Sequence, residues 1–141
     1  MAALINPYLE LLIVEDDKII GMLQKKVIQS QTEIPVSVFE NGRLAMNYLN
    51  SRPSTHFLIL LDINMPVMDG WEFLEELQTL KNGSLYKVVM VTSSINPADR
   101  ATASMFPQVI GYYEKPLLTE NVREIFEREE VRNFMSPPQV I

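Results

Sequence analysis

The stretch "HFLILLDINMPVMDG", residues 56–70, sets five apolar residues, Phe57 to Leu61, directly before Asp62 and then turns through Met65–Pro66 and Asp69–Gly70. A short run that is apolar at every position and closed by turn residues reads as a strand covered on both faces, the situation inside a parallel sheet. A carboxylate ending so apolar a strand needs a reason.

Working outward, four further short segments read as strands, and most of the five are apolar on both faces: Leu9–Val14, Pro35–Phe39, Val88–Thr92 and Ile110–Glu114. Between and after them, apolar residues recur at the three- and four-residue spacing of amphipathic helices. These sets are Ile19/Leu23/Val27, Leu44/Ala45/Tyr48/Leu49, Phe73/Leu74/Leu77, Ala98/Ala101/Met105 and Val122/Ile125/Phe126. Five βα units predict an α/β fold, a doubly wound five-stranded parallel sheet. Helix starts agree: Asp69 caps the third helix, Asn96 with Pro97 opens the fourth, and Thr119 opens the fifth. The expected layout is an extension over 1–8, one domain over 9–132 and a tail over 133–141. That tail, "NFMSPPQVI", has paired prolines, no periodicity and too few residues for an output domain.

Composition narrows the function. At 141 residues and 47% hydrophobic, the chain suits one domain with a sizeable core. A formal charge of −6 disfavours nucleic-acid binding, which draws its non-specific affinity from clustered Lys and Arg. With no cysteine, disulfides and thiolate metal sites are excluded. The start "MAALINPYLELL" has no basic n-region, and no apolar run approaches the roughly 20 residues that span a bilayer. The expectation is a soluble cytoplasmic protein with no membrane partner.

In an open parallel sheet, ligands bind beyond the carboxyl ends of the strands. There the chain places Glu15-Asp16-Asp17, Asp62, Thr92-Ser93-Ser94 and Glu114-Lys115-Pro116. Carboxylates brought together repel, and a hard divalent cation such as Mg²⁺ suits all-oxygen ligands and bridges carboxylates to a phosphoryl oxygen. With a hydroxyl and an ammonium alongside, a carboxylate itself serves as nucleophile, giving an aspartyl phosphate.

The motifs "LLIVEDD", "LLDINMPVMDG", "VMVTSS" and "GYYEKPL", in this order and at strand ends, closely resemble the receiver domain of two-component response regulators, over roughly Leu9 to Arg132. The resemblance implies a flavodoxin-like, CheY-like fold with strand order 2-1-3-4-5. It implies a stand-alone response regulator whose Asp62 accepts a phosphoryl group from a histidine kinase or phosphotransfer protein. Glu15, Asp16, Asp62 and the backbone carbonyl of Asn64 would hold Mg²⁺, with Mn²⁺ as a substitute. Many relatives have aspartate at the Glu15 position, so Asp16 is the firmer ligand and Glu15 is expected to act through water. Lys115 would pair with the phosphoryl group, Thr92 would hydrogen-bond it, and Pro116 would follow a cis bond. Thr92 and Tyr112 would switch the surface of the fourth helix, fifth strand and fifth helix toward a downstream protein partner, in a monomer or a phosphorylation-dependent dimer. Such a domain assists its own phosphorylation and dephosphorylation without being a turnover enzyme.

The alternative is a Mg-dependent phosphotransferase of the haloacid dehalogenase type, which also uses an aspartate nucleophile. It would place an Asp-x-Asp pair after the first strand, where "VEDDK" stands. A flavodoxin-like electron carrier would need a phosphate loop where this chain has acids. Other residues carry plainer expectations. Asp17 starts the first helix or faces solvent, Asp69–Gly70 is a turn and cap, and Tyr113 faces the opposite side of the sheet from Tyr112. His56 is a surface residue at the far end of its strand, Glu127–Arg132 is a solvated helix face, and the helical Met and Phe residues are core.

Overall fold

The computed structural model describes residues 8–135. Its strands are β1 (Leu9–Val14), β2 (Val36–Phe39), β3 (His56–Leu61), β4 (Tyr86–Thr92) and β5 (Val109–Glu114), all parallel in the order β2-β1-β3-β4-β5. Its helices are α1 (Lys18–Gln29), α2 (Gly42–Asn50), α3 (Gly70–Gln78), α4 (Pro97–Ala103), α5 (Thr119–Glu127) and α6 (Glu129–Met135). The doubly wound five-stranded sheet is the one expected. Strand order reverses between β1 and β3, and the crevice beyond their carboxyl ends is where such sheets bind ligands.

Alternation along the strands divides the core into two layers. Phe57, Ile59 and Leu61 pack with residues of α2, α3 and α4, whereas Leu58 and Leu60 pack with residues of α1, α5 and α6. All five are at most 3% exposed. At about 2 kcal/mol for each fully buried side chain of this size, they anchor β3 firmly at the centre of the sheet.

Helix starts follow the sequence. Asp17 accepts from the Ile19 and Ile20 amides to cap α1, Asp69 and Glu72 form a reciprocal capping box on α3, and Asn96 caps α4 ahead of Pro97. Thr119 is the first residue of α5, but the Leu118 amide there donates to Asn121 Oδ1 at 2.9 Å.

Three expectations are corrected. On α1 the buried residues are Gly21, Gln24 and Ile28, while Ile19, Met22 and Leu23 are 67%, 50% and 53% exposed. Gly21 lets the helix approach β2 so closely that a Cβ there would lie 3.0 Å from Val38 Cγ1, and this contact decides which face turns inward. Met22 is therefore exposed, not core, and Met105, which lies beyond the end of α4 at Ala103, is exposed as well.

The charged run over 127–132 is not one solvated face. The backbone extends at Arg128 (ψ 137°), and α6 then runs to Met135 with Val131 and Phe134 buried. Ordered structure thus continues past Arg132, and the rest of the expected tail lies outside the described residues. So does the N-terminal extension, apart from Tyr8.

His56 does lie at the amino end of β3, but it is half-buried and stacks on Phe134, with ring centroids 4.9 Å apart. Burial holds the pKa of its imidazole below the usual value of 6.5. A depressed pKa makes the neutral ring part of the folded state, so its contribution is complete above the unfolded pKa and is lost as pH falls from there through the lower folded pKa. We expect the melting temperature of the wild-type chain to drop below about pH 6.5. A His56→Phe variant, measured by the same thermal scans, should lose that part of the slope; unchanged pH dependence would count against this reading.

Candidate functional site

Backbone hydrogen bonds continue past the strand ends and fix the site residues. The Glu15 amide donates to Phe39 O at 2.9 Å, the Asp62 amide to Val14 O at 3.1 Å and the Lys115 amide to Thr92 O at 3.0 Å. Glu15, Asp62, Thr92 and Lys115 thus sit at the carboxyl ends of adjacent strands. Thr92 is fully buried, and Glu15 and Asp62 are 2% and 5% exposed.

Asp62 is held by both oxygens: Oδ1 accepts from the Ile63 amide at 2.7 Å, and Oδ2 pairs with Lys115 Nζ at 2.7 Å. The same ammonium pairs closely with Glu15 Oε1, while Glu15 Oε2 accepts from the Asp17 amide at 3.1 Å. Burial pushes the Glu15 carboxyl pKa up, partly opposed by its hydrogen bond to Lys115. Burial alone would lower the pKa of Lys115, but its hydrogen bonds to Asp62 and Glu15 more than offset this and raise it. The ammonium therefore stays charged between two carboxylates.

Exposed Asp16 completes a cluster in which one oxygen each of Glu15, Asp16 and Asp62 lies within 4.8 Å of the others. Three carboxylates against one ammonium leave about two negative charges, which a divalent cation would neutralise through ligands of the preferred all-oxygen type. The residues therefore fit such an ion. Asn64 lies on the exposed loop after Asp62. Thr92 Oγ1 accepts from the Ser94 amide at 3.2 Å, which leaves its O–H to donate elsewhere. The Lys115–Pro116 peptide is cis.

Tyr112 packs against the layer holding α2, α3 and α4, while Tyr113 packs in the opposite layer and donates to Glu124 Oε1 at 2.9 Å. The Arg100 guanidinium lies over the Tyr112 ring, 4.7 Å from its centroid, and the Tyr112 hydroxyl is buried without a hydrogen-bond partner.

Several contributions were not visible in the motifs. Gly70 is more than a turn residue: a Cβ there would meet Asp62 O and lie 2.8 Å from Ile63 Cα, and the Gly70 amide donates to Ile63 O at 2.8 Å. The start of α3 is packed directly on the peptide that carries Asp62. Just before it, Val67 adopts φ 73° in a tight turn closed by the Met68 amide on Pro66 O at 2.9 Å. That conformation is strained for a β-branched residue. The Ser94 hydroxyl donates to Asp99 at 2.5 Å and joins the Thr92 loop to α4. An Asp-Gly pair before a helix was the only sequence signal for any of these.

Fold and site together define a doubly wound α/β protein organised around a buried aspartate and its lysine at the carboxyl edge of the sheet. The sequence model of the response regulator receiver domain matches residues 11–128, and the chain belongs to that family. The response regulator Rcp1 of Synechocystis sp. is 31% identical over 131 residues, covering 86% of this chain and 84% of Rcp1. A protein-glutamate methylesterase/protein-glutamine glutaminase of Rhodospirillum centenum is 32% identical over 122 residues, but the chain spans only 30% of that relative's length. Among solved structures, a two-component response regulator from Cytophaga hutchinsonii aligns with a TM-score of 0.78 at 26% identity, covering 89% of this chain and 98% of that one. The Mn²⁺-bound form of Rcp1 aligns with a TM-score of 0.68 at 28% identity, covering 84% and 89% of the two chains. Among the described residues, no helix is long and apolar enough to cross a membrane.

Proposed function

We propose that this chain is a phosphorylation-dependent signalling module of a two-component phosphorelay, with Asp62 as its phosphoacceptor. The observation that carries this reading is the Asp62 carboxylate, buried, held by the Ile63 amide and Lys115, and grouped with Glu15 and Asp16. An Asp62 oxygen forms a bond to phosphorus as the bond from phosphorus to the imidazole nitrogen of a kinase or phosphotransfer protein breaks, and the imidazole leaves. Lys115 is placed to balance charge on the incoming phosphoryl oxygens, and the Thr92 hydroxyl to donate to one of them. Glu15, Asp16, Asp62 and the Asn64 carbonyl would hold Mg²⁺ or Mn²⁺, with Asp16 as direct ligand and Glu15 acting through water. When bound, the cation neutralises phosphoryl oxygens and orients them for in-line transfer.

Output passes through Thr92 and Tyr112. Movement of the Thr92 hydroxyl toward the phosphoryl group and rotation of the Tyr112 ring would reshape the α4-β5-α5 surface that a downstream partner reads. The buried, unpartnered Tyr112 hydroxyl supports this role, because a second ring position that satisfies it need differ little in free energy.

Intact-mass measurement after incubation with acetyl phosphate and Mg²⁺ tests the reading. Wild type should gain one phosphoryl group, with little gain when chelator replaces the metal and none in Asp62→Asn. Equal gain in Asp62→Asn would overturn the assignment.

A further inference from the structure

Of the six helices, α4 buries the fewest residues: only Ala103 among Pro97–Ala103. Elements held by few buried contacts are the ones that shift at little cost. A single side-chain bond then weighs heavily in fixing where α4 sits.

One such bond ties it to the site. Thr92 Oγ1 accepts from the Ser94 amide at 3.2 Å, and the Ser94 hydroxyl donates to Asp99 Oδ2 at 2.5 Å while accepting from the Asn96 amide at 3.3 Å. Ser94 thus bridges the end of β4 to the first turn of α4. The helix does not need Asp99 in order to start, because Asn96 Oδ1 already accepts from the Ala98 amide at 3.0 Å and Pro97 stands at its first position. The Asp99 carboxylate is directed back to the loop instead.

The two links differ in strength. The bond from Ser94 to Asp99 is short and has a carboxylate acceptor, whereas the bond from the Ser94 amide to Thr92 is longer and joins neutral groups. As the Thr92 hydroxyl turns toward a phosphoryl group, the weaker link gives way and Ser94 stays with α4. Loop and helix then move as one body. Next to Asp99, the Arg100 guanidinium lies over the Tyr112 ring, 4.7 Å from its centroid. A cavity of about 140 Å³, bounded in part by Ser94, Asn96, Arg100 and Tyr112, leaves room there. A shift of α4 therefore changes what covers a ring whose hydroxyl is buried and unpartnered.

We infer that Asp99 is a positioning residue that locks the Ser94–Asn96 loop to α4, so that the two answer Thr92 as one body and carry Arg100 relative to Tyr112. The inference rests on the output route through Thr92 and Tyr112 proposed above and supplies the link by which the first reaches the second. Asp99 stands outside the acid cluster of Glu15, Asp16 and Asp62, so it acts through Ser94 and not on the reacting atoms.

The test uses the full chain with Mg²⁺ and beryllium trifluoride, a lasting stand-in for the phosphoryl group, followed by amide chemical shifts. In wild type the amides over 98–103 and that of Tyr112 should shift together with those of Ile63 and Thr92. In Asp99→Ala the shifts at Ile63 and Thr92 should remain, while the ratio of switched to unswitched α4 falls by about threefold to thirtyfold, the range for a residue on a coupling route. Ser94→Ala cuts the same link from its other end, should produce a like fall, and serves alone if Asp99→Ala does not fold. The double variant should lose no more than either single variant, as expected of partners in one contact. Asp99→Asn keeps an acceptor oxygen and should restore most of the response. An acid that merely favours a helix start would show no such dependence on Ser94.

A full α4 response in the alanine variants, additive losses in the double variant, or no rescue by asparagine would overturn the inference. So would a wild type whose site shifts while α4 does not. Phosphoryl gain from acetyl phosphate, read by intact mass, should persist in Asp99→Ala. Gain in wild type with a failed α4 test removes this inference alone, whereas no gain in wild type removes the Asp62 reading and this inference with it.

Discussion

Lys115→Met is expected to lower the unfolding free energy by about 3–5 kcal/mol in metal-free buffer, the usual cost of removing one partner from a buried ion pair. The lysine ammonium lies between Glu15 and Asp62, carboxylates only 2% and 5% exposed. Methionine keeps much of the apolar stem and removes the charge, so two buried acids are left facing each other. One response is proton uptake by Glu15, whose pKa burial already pushes up. Urea unfolding of wild type and variant measures the loss. Added Mg²⁺ should raise the midpoint more in the variant than in wild type, because the ion then supplies positive charge in place of the lost ammonium. The variant should also gain at least about a hundredfold less phosphoryl mass from acetyl phosphate at a fixed time, comparable to losing one strong electrostatic contact to the reacting group. A variant as stable as wild type without metal, or one equally phosphorylated, would contradict the role given to Lys115.

The second large effect is expected at Gly70. A methyl group there collides with the carbonyl of Asp62 and lies 2.8 Å from Ile63 Cα, both of them backbone atoms that cannot swing aside. Overpacking against backbone costs about 1–3 kcal/mol or more, and relief requires α3 or the Asp62–Ile63 peptide to shift. Gly70→Ala should therefore unfold at lower urea and accept phosphoryl groups more slowly even where it remains folded. Ala at a helix start is otherwise favourable, so a stabilised Gly70→Ala would show that the close packing of α3 on Asp62 is wrong. The comparison separates mounting from chemistry: Gly70 touches no reacting atom, and its effect on Asp62 should scale with the loss of stability.

What could be read from the sequence follows from which residues carry local patterns. Phe57–Leu61 announced a strand buried on both faces because five consecutive apolar side chains have few other places to go. Asp62, Lys115 and the acids after β1 were legible because each directly follows such a strand. The orientation of α1 was not legible. Apolar residues surround that helix, and its inward face is set by Gly21 and Gln24, a small residue and a polar one, through tertiary fit to β2. α6 was missed because it shows only two buried apolar residues, Val131 and Phe134, among charges. Gly70 looked like an ordinary turn glycine because the atoms it must avoid come from β3, outside its own helix.

The seating of Phe134 on His56 also bears on how the molecule can be labelled. It brings the last described helix to the amino end of β3, six residues before Asp62, and at about 3.3 Å per residue that is about 20 Å of strand. A fluorophore or affinity tag attached near the end of α6 would thus sit at the opposite end of the strands from the aspartate. Reporters placed there should follow the protein while leaving both the phosphodonor and the cation unobstructed.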